Sequence, residues 1–295
     1  MNNDDIRKAT GSSYCLGYPQ LIQDSDLVQV TRFCDAAREK FRPIAKTNFT
    51  PETNSRWLLR HYLAIKFATA AALMAGSADY AQRHNLLMGV PYFNYYAVLS
   101  ACRAFLFTSP HVEWEGENTV VMTHEKILNL TSDLMRPLDP QRRESWRGQM
   151  AGLRSMRELY SYRFPLSGPR LLRDEAFDPG PATELARLIA ELASLNSECF
   201  DAMLSKYAPA EIAAVDLPEH EWAEVYKLVG EDVYDPADGE RFYKLRTRWG
   251  RVSSLESMVS DGLYDDLYGS WHNDVEDPNV KPFAPDDYSR LILAL

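Results

Sequence analysis

Between Arg136 and Arg173 the chain carries nine arginines and no lysine: Arg136, Arg142, Arg143, Arg147, Arg154, Arg157, Arg163, Arg170 and Arg173. Only Asp139, Glu144 and Glu158 stand against them, so the stretch is locally +6 in a chain whose net charge is −10. A guanidinium stays charged at every physiological pH, and its planar fork grips a phosphate or carboxylate through two parallel hydrogen bonds. Arginine at every basic position therefore points to anion recognition rather than to solubility. The competing reading is internal neutralisation. Glu144, Glu158 and the acidic last third of the chain hold enough carboxylates to pair the row.

These arginines need a helix to align them. Gln141 to Tyr160 predicts one, and at 100° per residue Arg143, Arg147, Arg154 and Arg157 fall within roughly 80° of each other. Trp146, Leu153 and Tyr160 border that sector and Met150 lies inside it. The aromatic and aliphatic residues should bury, leaving the arginines at the rim of the packed face. Just beyond, Tyr160, Tyr162 and Arg163 could stack on a base or bond a phosphate, or simply pack at the helix end. Ligand-binding candidates are thus Arg143, Arg147, Arg157 and Arg163.

Elsewhere the 3.6-residue period dominates and strand alternation is scarce, so the fold class reads as all-α. Expected helices are Asp26–Phe41, ending before Pro43, then Ser55–His84 after a start signal at Thr53 and Asn54, and Tyr92–Phe107, the most apolar of all. Thr123 should cap a helix to Met135. After a linker at 174–182, Thr183–Tyr207 is helical, followed by shorter helices near 218–230, 237–248 and 252–271 and an irregular arm from Glu276. His61 lies on the apolar stripe of its helix and reads as a core histidine. His111 falls in a polar loop. A small-molecule pocket would have to use Tyr95, Tyr96 or His61, and nothing local supports one.

Several function classes lose their support. There is no GxGxxG, Walker A loop, GxSxG elbow or HExxH. The histidines form no i, i+4 metal pair, and Cys15, Cys34, Cys102 and Cys199 match no metal spacing. No metal and no cofactor is expected. Free cysteines and a polar, acidic first ten residues suggest the cytoplasm. Tyr62–Met74, interrupted by Lys66, reads as a buried core helix rather than a membrane span. A pI near 5.2 argues against broad nucleic-acid coating but allows one local basic site.

The run Asn94-Tyr95-Tyr96-Ala97-Val98-Leu99-Ser100-Ala101-Cys102-Arg103-Ala104 resembles the "YYA…ARA" helix of HEPN domains, and the order of elements is similar over Ser55–Arg173. The resemblance implies a compact helical bundle that pairs as a homodimer, in a toxin- or phage-defence-type protein acting on RNA. In that family an Arg, four to six spacers and a His form a metal-independent ribonuclease site. Here the nearest equivalent is Arg154, five spacers and Tyr160, with Tyr162 two further on, so a tyrosine stands where the family carries its histidine. The catalytic candidates implied are Arg154, Tyr160 and Tyr162. Relatives lacking the motif are binding or dimerisation modules.

The resulting expectation has three parts: an N-terminal segment and first helix (1–54), a HEPN-like core (55–173), and an acidic helical C-terminal region packed against it (183–295). The function expected is binding of RNA or nucleotide phosphate through the Arg helix, as a degenerate or non-catalytic ribonuclease. The alternative is a homodimeric adaptor whose arginines are engaged in internal salt bridges, with an acidic protein as a further partner class.

Overall fold

Short polar caps and prolines set where each helix begins. α1 (Asn3–Thr10) opens on a capping box between Asn2 and Asp5 and closes on left-handed Gly11. α2 (Pro19–Asp24) follows, and α3 (Leu27–Thr47) opens on a second capping box, Asp26 with Gln29. α4 (Pro51–Arg83) starts at a proline, with the Thr50 hydroxyl accepting from the Thr53 amide at 3.2 Å. α5 (Val90–Thr108), the short α6 (Glu117–Val120), α7 (His124–Leu134) and α8 (Arg143–Glu158) come next. α9 (Gly180–Tyr207), α10 (Pro236–Arg248), α11 (Leu255–Met258) and α12 (Asp261–Gly269) follow among the described residues. The computed structural model describes residues 1–12, 17–166, 168, 177–221, 235–259, 261–271 and 283–284, and no strand occurs among them. The chain is all-α.

α4 and α5 form the centre. They are joined by a short turn in which Asn85 takes a positive φ of 59°, a conformation asparagine tolerates better than most residues. Ala68, Ala71, Ala72, Ala75 and Gly76 are buried along α4, small enough for neighbouring helices to approach closely. By length and composition α4 could cross a membrane, yet 78% of its apolar stretch is buried inside the protein. α9 packs on α5 and α3, α7 and α8 flank α5, α10 and α12 lie against α4, and α11 touches both α9 and α4. Aromatic rings lock the layers: Phe200 of α9 stacks on Phe41 of α3 at 4.5 Å and meets Trp57 of α4 at 4.6 Å.

Several boundaries differ from the sequence expectation for physical reasons. α3 does not stop before Pro43 but continues to Thr47. Burial of Phe41 and Ala45 on either side of the proline outweighs the one backbone hydrogen bond it removes. α4 begins one turn before Ser55, because Asn54 and Ser55 serve distant segments instead of capping. Asn54 donates to the Gly250 carbonyl (2.7 Å) and accepts from the Val252 amide (2.9 Å). The Ser55 hydroxyl exchanges two 2.8 Å bonds with the backbone of Val215. The expected helix at 252–271 is two, α11 and α12. Leu188, Ile189, Leu192 and Leu195 of α9 sit in the same core as α4 and α5. The expected helix at 218–230, apart from its first residues, and nearly all of the arm from Glu276 lie outside the described residues.

Candidate functional site

α8 is anchored as its pattern requires. Trp146 and Met150 are each 1% exposed and belong to the core, which leaves the arginine row at the edge of the packed face. The arginines then divide into three groups.

The first group is neutralised. Arg143 pairs with Asp133 and, at 2.8 Å, with Glu144. Arg154 bonds Glu158 at 2.9 Å and reaches Glu125 of α7 at 3.5 Å. Arg142 lies 3.8 Å from the Asp24 carboxylate, donates to the Asp24 carbonyl at 3.2 Å and lies over the Trp146 ring. The second group is exposed: Arg136, Arg147 and Arg163 make no ion pair among the described residues. The third is Arg157 alone. Its guanidinium donates to the Tyr96 hydroxyl (2.9 Å) and the Tyr162 hydroxyl (3.2 Å), and it lies 5.2 to 5.7 Å from the rings of Tyr95, Tyr96 and Tyr162. Phenols, not carboxylates, hold it, so its charge is not cancelled. Arg170 and Arg173 lie outside the described residues.

The approach of Tyr162 to Arg157 has a backbone cause. After Glu158 the helix widens into a π turn, Leu159–Arg163, closed by the Phe164 amide on the Leu159 carbonyl at 3.0 Å. The i+5 spacing of such a turn sets residue 162 over residue 157, and π turns recur at functional sites. The same turn separates the three catalytic candidates. Tyr160 packs its ring on Phe177 at 6.1 Å. Its hydroxyl is buried with no partner among the described residues, and burial raises its pKa. Arg154 is engaged by two glutamates while Tyr162 is engaged by Arg157, so Arg154, Tyr160 and Tyr162 occupy three different environments rather than one constellation.

A histidine does reach the cluster, from another helix. Thr123 caps α7 as its sequence position requires, which fixes His124 at the first helical position. The His124 Nδ1 lies 2.9 Å from the Tyr95 hydroxyl, and its ring contacts those of Tyr95 and Tyr96. Burial lowers its pKa, and the positive charges of Arg103, Arg157 and Arg154 lower it further, so the imidazole is neutral at pH 7. Burial pushes the Tyr95 phenol up to about 12, which keeps it protonated. Tyr95 can therefore donate to Nδ1. The neutral ring then carries its hydrogen on Nε2, a donor suited to an anion.

Arg103 completes the arrangement. Burial lowers its pKa, its guanidinium lies 5.0 Å over the Phe67 ring, and its Nε has no hydrogen-bond partner among the described residues. Three arginines from two helices thus bear electrostatically on one histidine. Sequence reasoning missed His124 and Arg103. His124 precedes the Arg helix and stands 21 positions after Arg103, far beyond the family's Arg-to-His spacing, so only the Thr123 cap was visible.

His61, by contrast, is a core residue. It is fully buried, it donates from Nδ1 to the Ser253 carbonyl at 3.0 Å, and burial pushes its pKa down to about 3. Comparison with known protein families, with characterised proteins and with solved structures returns no match.

Proposed function

We propose that the protein binds RNA or nucleotide phosphate at the cluster formed by α5, α7 and α8, with Arg157 as its central cation. The observation that carries this reading is the environment of Arg157. In a chain with a surplus of carboxylates, this guanidinium is positioned by two phenol hydroxyls beside a neutral histidine and a second unpaired arginine, Arg103. Such a site keeps its positive charge for a ligand. Arg147 and Arg163, both exposed, extend the basic surface along α8 and the π turn.

The hydrogen-bond pattern favours binding over cleavage. With Tyr95 donating to Nδ1, His124 offers a donor at Nε2 rather than a base. The HEPN-like reading, with a homodimer and a degenerate ribonuclease site, is supported by the Tyr95-Tyr96 helix lining the cluster. The adaptor reading keeps one specific support, the carboxylate pairing of Arg143 and Arg154.

Fluorescence anisotropy with labelled RNA and with a labelled nucleotide tests the proposal. Affinity should fall steeply as salt rises from about 50 to about 200 mM, the signature of phosphate neutralisation. Arg157→Ala should abolish binding, whereas Arg143→Ala should leave most of it. Absence of binding by the wild-type protein at low salt would refute the proposal and leave the adaptor reading.

A further inference from the structure

The π turn presents two aromatic rings to solvent next to the proposed phosphate site. Tyr162 is 72% exposed and Phe164 is 59% exposed. Phe164 ends the turn with φ 37° and ψ 80°, in the left-handed region that side-chain-bearing residues rarely adopt. A strained backbone that exposes apolar rings costs stability on both counts, and such strain concentrates at ligand clamps. Tyr162 is also tied to the cation. Its hydroxyl accepts from Arg157 and its ring lies 5.2 Å from that guanidinium. Arg163, between the two rings in sequence, is exposed without an ion pair among the described residues.

Resting on the phosphate-binding reading above, we infer that the ligand is a single-stranded nucleic acid, whose bases stack on Tyr162 and Phe164 while Arg157 and Arg163 hold its phosphates. The site and a single strand have complementary surfaces. A duplex keeps its base faces inside its own stack and offers only phosphates and groove edges to this surface. A single strand offers unstacked faces as well, and sequence-tolerant stacking on exposed aromatic rings beside a basic track is the physical basis of single-strand recognition. A free mononucleotide could use one ring at most. An acidic protein segment would satisfy the arginines and leave both rings in water.

Anisotropy with a labelled single-stranded RNA of roughly 12 nucleotides, and with the same strand annealed to its complement, decides the matter. The wild-type protein should prefer the single strand. Tyr162→Ala and Phe164→Ala should each weaken single-strand binding roughly tenfold while leaving the salt dependence unchanged, because stacking releases no counterions. Tyr162→Phe keeps the ring, removes the bond to Arg157 and should stay within a few-fold of wild type. Both positions are exposed, so unchanged thermal melting will confirm that the variants fold. If duplex and single strand bind equally and neither alanine variant matters while Arg157→Ala abolishes binding, this inference fails and phosphate binding stands. If polyglutamate binds and displaces the strand while both rings are dispensable, an acidic protein is the ligand and the inference fails. If the wild-type protein binds neither strand form nor a nucleotide at low salt, both readings fail.

Discussion

Each half of α5 meets an arginine that no carboxylate pairs among the described residues, and the two arginines are used in opposite ways. At the C-terminal end Arg60 is buried and donates to three backbone carbonyls, Phe107 at 2.8 Å, Ser109 at 2.7 Å and Leu106 at 3.4 Å. These are the carbonyls a helix end leaves unsatisfied, at the negative end of its dipole. Trp57 covers the guanidinium at 3.9 Å, and His61, one residue on, is sealed in the core. Toward the N-terminal half, Arg157 and His124 meet Tyr95 and Tyr96 instead. Their partners are hydroxyls, both side chains are partly open to solvent, and Arg103 beside them keeps an unpartnered Nε. An arginine without a carboxylate is therefore not diagnostic by itself. Backbone carbonyls and full burial make it structural, whereas phenols and partial exposure leave its charge available.

Substitution should separate the two ends most sharply. Arg60→Ala removes a buried charged donor and orphans the carbonyls at the end of α5, for a loss of about 3 kcal/mol or more in urea denaturation. Arg157→Ala should lose under about 1 kcal/mol in the same assay while abolishing ligand binding. Equal destabilisation by the two substitutions would erase the distinction.

The histidines give a smaller contrast, read through pH. The His61 pKa is about 3 in the folded chain against an ordinary 6.5, so the unfolded state binds the extra proton. Its contribution to stability is full above about pH 6.5 and is lost as pH falls toward 3, at up to about 1.4 kcal/mol per pH unit. His61→Gln should remove that slope. Burial pushes Glu191 and Glu198 up to about 7, and they tilt the profile the other way, favouring the fold below about 4.5 and losing that contribution as pH rises through 7. The difference between wild-type and variant profiles is therefore the quantity to measure. The smallest effect belongs to Arg154→Ala. Its carboxylate pairs are half-exposed, so stability should change by under about 1 kcal/mol in thermal melts. A larger loss would mean that the row is mainly structural.

What the sequence made legible follows from which interactions are local. Trp146 and Met150 marked the buried side of α8, Thr123 marked the start of α7, and the apolar run at 92–107 marked a core helix, because helical periodicity and caps act within a few residues. Phe41 and Ala45 carrying α3 through Pro43, and the two-way bonds of Asn54 and Ser55, depend on partners distant in the sequence. The candidate site divides the same way. The arginine row was visible, but its sorting into paired, exposed and phenol-held members was not. That sorting depends on Glu125 and Asp133 of α7, on the π turn that moves Tyr162 onto Arg157, and on the fold that brings His124 to Tyr95. No local spacing encodes these.

The most direct test of the Arg157 and His124 cluster as an anion site is the titration of the His124 imidazole by NMR, without and with saturating uridine monophosphate. The free protein should titrate below the ordinary histidine value, since burial and three arginines oppose protonation. Bound phosphate should reverse that field and raise the His124 pKa by about one unit or more, and Arg157→Ala should abolish the response. Identical titration with and without the nucleotide would contradict the account.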